Sequence, residues 1–228
     1  IILIFRDTIL GLVASIQVTI NDMVRIGDWI TIDKFGADGY VIEINLATVK
    51  VQNFDHTTTT IPTYSLISDS FRNWRGMIDS DGRRIKRSIN IKQSSIKFLN
   101  DKELDKYKKI QIIEKYISER QLEISNYNIN NQIDKSLSIN GRNLTNFGIF
   151  RTYINTYLEK NPAINKDLTI ICRQLQPTPY GVPLEIYCFS KNKKFENYEF
   201  IMADIFDHIF ASIPFFELEI YENSTILE

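Results

Sequence analysis

Between Gly27 and Trp74 the chain sets five short β-forming runs in fewer than fifty residues, and that density most constrains how it can fold. "GDWITID" is the first run, and "GYVIEINLATVKVQNFD" holds two more with almost no loop between them. "TTTTIP" is the fourth and "SDSFRNW" the fifth. Val49 and Val51 alternate with Thr48, Lys50 and Gln52, the two-residue period of a strand with one buried face. Phe35, Gly36, Asp38 and Gly39 supply turn chemistry between the first two runs. Asp55-His56 sits where a hairpin turns, and Pro62 ends the fourth run. Strands this short at this spacing predict a small closed barrel of SH3-like or Sm-like type. Thr57 to Thr60 could line a binding strand with hydroxyls, but a β-forming run with alternate side chains in solvent accounts for them without a ligand.

The second half follows another plan. "RRIKRSINI" reads as a strand with Ile85, Ile89 and Ile91 on one side, and "LTNFGIFRTYINTYLEKNP" as a helix presenting Phe150, Tyr153, Ile154, Tyr157 and Leu158. "DLTIICRQ" and "PLEIYCF" are strands joined by the turn-rich "LQPTPYGV". A further helix carries Met202, Ile205, Phe206, Ile209, Phe210 and Ile213, and "FELEIY" closes as an alternating strand. The resulting order, β-α-β-β-α-β, is the ferredoxin-like pattern, so the fold class is α+β. Roughly residues 93–142 interrupt it. There Asn100 and Glu103 form a capping pair, and Leu104, Tyr107, Ile110, Ile113 and Ile117 repeat every three or four residues. "SNYNINNQ" reads as a polar break, and the segment as a helical excursion.

Ahead of the strands, thirteen residues from Thr8 to Ile20 carry no charge. A membrane crossing takes about 20 apolar residues, so this run does not span on its own. Ile9, Leu12, Val13, Ile16 and Ile20 make an apolar stripe, and Thr8, Gly11, Ser15, Thr19 and Asp22 a small or polar one. Two readings satisfy the pattern: an amphipathic helix resting on a soluble core, or a helix whose small stripe allows close approach at a membrane or pore interface. With 27 basic and 28 acidic residues, overall charge predicts no polyanionic partner. Two cysteines without a disulfide-like spacing suit a reducing compartment. From about Arg25 onward the chain reads as soluble.

Catalytic chemistry is hard to assemble. Asp204, Asp207 and His208 could share a helix face and hold a metal, but no further ligand cluster joins them, and a surface or capping role is preferred. Cys172 and Cys188 lie in phase with apolar strand residues, as buried thiols do. No phosphate-cradling glycine loop is present, and neither an enzyme nor a cofactor is expected. Arg83, Arg84, Lys86 and Arg87 form the one charge cluster, with Arg72 and Arg75 upstream. Three uses fit it: nucleic-acid contact beside Phe71 and Trp74, a strand edge protected by charge, or the lining of a cavity that biases which ions collect. The neutral overall balance favours the strand edge over nucleic acid.

The order of these parts resembles the small-conductance mechanosensitive channel family, and most of all its miniconductance branch. The resemblance rests on "ILGLVASIQ", "NDMVRIGDWI", "GADGYVIEINLATVKVQNFD", "TTIPTYSLISDSFRNWRGM", "GRRIKRSI", "GRNLTNFGIFR" and "ADIFDH". It implies a homo-oligomer, a heptamer, in a bacterial inner membrane that opens under hypo-osmotic tension, with lipid and permeating ions as partners and no nucleic acid. Residues 1–24 would end a pore-lining helix and continue as an interfacial helix; 25–74 would form the Sm-like β-domain, and 75–228 the cytoplasmic ferredoxin-like domain with its insertion. On that reading Leu3, Arg6 and Asp7 line the pore, the helix bends at Asp7 and Thr8, and Arg83, Arg84, Lys86 and Arg87 charge a vestibule. Arg6 and Asp7 depart from the glycine- and alanine-rich pore helix of the family prototype, and Thr63 replaces its asparagine. Two alternatives accompany this reading: a poorly conducting osmotic sensor or scaffold, and a soluble Sm-like module that binds RNA or a small ligand.

Overall fold

A computed structural model describes residues 2–223, with side chains described from residue 9. The chain divides into two compact units, Ile1–Ser80 and Asp81–Glu228.

The first unit opens with helix α1 (Ile2–Ile20). Strands β1 (Trp29–Ile32), β2 (Ala37–Ile44), β3 (Thr48–Asn53) and β4 (Thr58–Pro62) follow, then the helical turn α2 (Ser65–Ser68), the two-residue strand β5 (Arg72–Asn73) and helix α3 (Arg75–Asp79). The five strands form one antiparallel sheet in the order β4-β3-β2-β1-β5. This corrects the expected closed barrel: the sheet is open, with β4 and β5 at its edges. The connection from β4 is taken up by α2, and β5 contributes only Arg72 and Asn73, opposite Thr31 and Ile30. That is too short a ladder to reach across to β4.

Alternation along the strands turns Ile30, Ile32, Val41, Val49, Val51 and Ile61 inward, where they join Val18, Val24, Ala37 and Leu66 in one core. Burying each of the larger ones is worth about 2 kcal/mol relative to exposure. Gly39 is required by close approach, because a Cβ there would stand 1.9 Å from the Gln52 carbonyl oxygen across the ladder. A bulge between Val41 and Glu43 interrupts the β2–β3 register, and Ile42 is exposed. Thr63 is buried just past β4. Its amide donates to the Ala47 carbonyl at 2.9 Å and its hydroxyl to the Asn45 carbonyl at 3.1 Å, fastening the end of β4 to the β2–β3 turn.

The second unit begins with β6 (Arg83–Ile91). Next come helices α4 (Asp101–Lys108), α5 (Glu114–Asn130) and α6 (Asn146–Lys160), strands β7 (Ile171–Gln174) and β8 (Val182–Ser190), and helix α7 (Phe195–Ser212). The sheet order is β6-β8-β7, antiparallel throughout. The sixth element of the expected β-α-β-β-α-β order is not a strand. Ile213–Phe216 form a 3-10 turn, Glu217 takes φ 56°, and pairing with β6 shrinks to a single bridge between Ile91 and Ile220. The 3-10 turn takes Phe216 and the left-handed Glu217 breaks the extended run, so only Glu219 to Tyr221 reach β6.

The insertion is a wall of this unit rather than an excursion from it. Asn100 and Glu103 form the reciprocal capping box at the start of α4. Leu104, Tyr107, Ile113 and Ile117 are buried in the same core as Ile85, Phe150, Leu184 and Ile209, with the Tyr107 ring stacked 5.4 Å from that of Phe216. The expected polar break is helical through Asn130. Buried Asn128 has a use there: its side chain donates to the Arg142 carbonyl and accepts from the Arg142 amide, both at 2.9 Å, and so ties down the following loop. On α7 one expected core residue, Phe210, faces outward.

Candidate functional site

Helix α1 meets the fold along a line that shares only Gly11 with the expected small or polar stripe; Thr19 and Asp22 of that stripe are exposed. Gly11, Ala14 and Val18, at steps of three and four, are buried, and Val18 keeps 1% exposure in the core of the first unit. The fit at Gly11 is close, since a Cβ there would lie 3.2 Å from the Leu46 carbonyl oxygen. The apolar stripe points the other way. Ile9, Leu12, Val13 and Ile16 are each about half exposed, and Ile20 is 76% exposed. The helix is therefore inverted relative to one resting its apolar stripe on a soluble core: Gly11, Ala14 and Val18 pack inward and the stripe of larger aliphatic residues faces out. Among the described residues no helix is long and apolar enough to cross a membrane. Leu3, Arg6, Asp7 and Thr8 lie within the helix but outside the residues whose side chains are described.

The C-terminal end of α1 is stapled to the sheet through Asp28, which keeps 8% exposure. Its carboxylate accepts from the Arg25 amide at 2.8 Å, from Asn73 Nδ2 at 2.9 Å, from Arg75 Nε at 2.9 Å and from a second Arg75 nitrogen. Asn73 also donates to the Met23 carbonyl at 3.0 Å. Arg75 reaches Asp22 at 3.0 Å, and Arg25 forks onto the same Asp22 at 2.6 and 2.7 Å. Burial pushes the Asp28 carboxyl up, but the Arg75 guanidinium, the Arg25 amide and Asn73 outweigh it, so the group sits below its ordinary value. Beside this joint Trp29 and Trp74 stack with ring centroids 4.7 Å apart, their indole nitrogens donating to Asp38 and to Thr31 at 2.8 Å each. Sequence reading missed this hub. Its visible signal was an aspartate inside an apolar run, "IGDWI", which a strand buries only when cations are at hand.

The basic cluster on β6 does not act as one patch. Strand alternation puts Arg83 and Arg87 on the helix side, where their guanidinium carbons lie 4.2 Å from the Tyr198 ring centroid and 5.6 Å from that of Phe206. Arg84 and Lys86 fall on the opposite face. There buried Glu185, at 3% exposure, accepts from Arg173 at 2.7 Å, with Lys86 3.6 Å away.

The remaining chemistry-bearing residues have structural partners. Cys172 and Cys188 are buried free thiols pushed up to about 12 by that burial. His208 Nε2 lies 2.7 Å from the Tyr153 hydroxyl, and its ring stacks on Tyr157 at 4.1 Å. His56 turns the β3–β4 hairpin with φ 68°. The Asn53 side chain donates to Thr57 at 3.0 Å and Thr59 at 2.9 Å, so two of the four threonines serve the hairpin. Among the described residues no group of three or more His, Cys, Asp or Glu side chains could hold a metal ion.

Comparison with known proteins gives this arrangement a context. Residues 7–76 match the family model for the mechanosensitive ion channel β-domain. Over 86 residues the chain is 30% identical to the small-conductance mechanosensitive channel MscMJ of Methanocaldococcus jannaschii, covering 38% of this chain and 23% of that protein. The fold is similar to the cryo-EM structure of Arabidopsis thaliana MSL1, with a TM-score of 0.62 at 13% identity over 97% of this chain and 61% of that one. It is also similar to the crystal structure of Helicobacter pylori MscS in its closed state, with a TM-score of 0.60 at 13% identity over 100% of this chain and 67% of that one. These relatives are channels, not enzymes, and the chain spans less than a quarter of MscMJ. Residues 7–76 therefore carry the β-domain of mechanosensitive ion channels, within a chain whose fold is similar to those of MSL1 and MscS.

Proposed function

We propose that this chain is part of a subunit of a homo-oligomeric, tension-gated ion channel, and that it carries the inner end of the pore helix and the domains beneath it. The observation behind this reading is α1: it buries Gly11, Ala14 and Val18 on its own β-domain and offers Ile9, Leu12, Val13, Ile16 and Ile20 outward. Such a stripe suits the boundary between headgroups and acyl chains. Leu3, Arg6 and Asp7 then line the inner mouth of the pore, with the bend at Asp7 and Thr8. A narrow apolar constriction excludes water and so blocks ions. Tension favours the state of larger in-plane area, which separates the pore helices. The Asp28 joint makes this mechanical: Arg75 and Asn73 clamp the end of α1 to the sheet, so a tilt of the helix moves the β-domain with it.

On this reading the assembly is a heptamer in a bacterial inner membrane, responding to hypo-osmotic shock, with residues from about 25 onward in the cytoplasm. The helical segment 93–142 supports the miniconductance branch. The deciding experiment is patch-clamp recording of the full-length protein in liposomes under graded suction. Tension-gated current steps whose size changes in Leu3→Ala, Arg6→Gln and Asp7→Asn are expected. Silence up to the lytic limit from a correctly assembled oligomer overturns the channel reading.

A further inference from the structure

The second unit has two uncovered faces of opposite character. Strand alternation sends Ile85, Ile89, Leu184 and Ile186 into the core beneath α6 and α7, so their neighbours form the other face of the sheet. That open face carries Arg84, with Lys86 and Arg173 drawn to buried Glu185, around Ile171, Tyr187 and Phe189, and the last two rings meet edge to face at 5.5 Å. Helix α7 lies on the far side. It holds no lysine or arginine, and its outward stripe is Glu196, Phe200, Ala203, Asp204, Asp207 and Phe210. Phe200 is 75% exposed. Among the described residues Arg84, Asp204 and Asp207 make no ion pair, although each sits on an ordered element.

We propose that α7 of one copy docks on the open sheet face of the next copy. The inference rests on the homo-oligomer reading above and names the surfaces that build it. Charge is complementary: Arg173 and Lys86 share the single carboxylate of Glu185, so with Arg84 the sheet face keeps a positive surplus against the helix carboxylates. Phe200 and Phe210 supply aromatic anchors, the residue type enriched at the centre of interfaces, against Ile171, Tyr187 and Phe189. The dimensions also agree, since eighteen helical residues run about 27 Å and nine strand residues about 30 Å. Because the two faces lie on opposite sides of one unit, the contact is heterologous. Each copy gives one surface and receives the other, which adds copies head to tail and closes a ring where the rotation permits. Arg84 and Lys86 would then hold a neighbouring subunit rather than charge a vestibule.

The test uses the full-length protein in detergent, with its assembly state measured by light scattering. The double variants K86C/D204C and R84C/D207C are treated with a short bismaleimide. A ladder reaching the full oligomer is expected on a denaturing gel, while each single-cysteine variant stays monomeric. Reversing R84E and K86E together in the K86-independent pair I171C/F200C should lower the ladder yield about tenfold, and adding D204K and D207K should restore it. An intact oligomer that gives no ladder from any pair overturns this docking and leaves the oligomer reading standing; a monomer by light scattering overturns both. Anionic-lipid vesicles captured through Arg84 and Lys86 by protein that forms no ladder would assign the sheet face to a membrane and also overturn it.

Discussion

At the scale of single residues, the fold depends on polar groups placed where burial makes them expensive unless they are partnered. Asp28 is the clearest case, a nearly buried carboxylate with four donors around it. Asp28→Asn keeps the shape but loses the charge-assisted bonds, and a loss of about 2 kcal/mol in equilibrium unfolding is expected. The same group gives stability a pH dependence of known sign. Its folded value lies below the unfolded one, so its contribution is complete above about pH 4 and disappears as pH falls through the folded value. Urea unfolding measured at several acidic pH values should therefore show a shallower acid limb in Asp28→Asn than in the parent. An unchanged limb would mean that other carboxylates carry the effect. Tyr107 is the opposite case: its hydroxyl is buried without a hydrogen-bond partner among the described residues, and burial pushes it up to about 12. Removing that oxygen in Tyr107→Phe should leave stability unchanged or raise it by about 1 kcal/mol in thermal unfolding.

At the scale of elements, α1 and the insertion show why sequence period locates faces more reliably than it assigns them. The period of α1 and its apolar stripe were legible, but the buried line through Gly11, Ala14 and Val18 runs beside the expected small or polar stripe rather than along it. Which line the fold buries depends on how the helix approaches the Leu46–Ala47 turn, where Gly11 makes a close fit. Two substitutions separate the faces. Val18→Ala should destabilise the first unit by about 1 kcal/mol, because it removes fully buried methyl groups. Ile16→Ser should change unfolding by less than about 0.5 kcal/mol yet weaken liposome binding about tenfold, as measured by flotation. If Ile16→Ser unfolds the unit instead, the outward stripe has a protein partner. In the insertion, the apolar period of Leu104, Tyr107, Ile113 and Ile117 identified core residues correctly but could not name their partner. That partner is the core of the second unit itself. Ile117→Ala should accordingly cost about 3 kcal/mol in denaturant unfolding, the value for a buried aliphatic side chain rather than for an appendage.

At the scale of the whole molecule, the buried apolar side chains among the described residues form two cores, one from Val18 to Leu66 and the other from Ile85 to Leu218. Residues 81–228 expressed alone should therefore fold, with a single cooperative transition by circular dichroism; a broad transition would show that the first unit is needed. Much of this was determined by sequence alone. The sequence marked strands in "GDWITID", around Val49 and Val51 and in "RRIKRSINI", the Asn100–Glu103 pair marked a helix start, and the apolar phase of Cys172 and Cys188 marked buried thiols. These are local properties, set by a side-chain period of two or 3.6 and by caps within one turn. Tertiary structure alone decided the rest: that the first sheet stays open, that "FELEIY" shrinks to one bridge, that the four charges of β6 divide between two faces, and that Asp28 finds Asn73 and Arg75 more than forty residues away. Each of those outcomes turns on which distant groups come within contact range, and that is fixed only when separate elements pack.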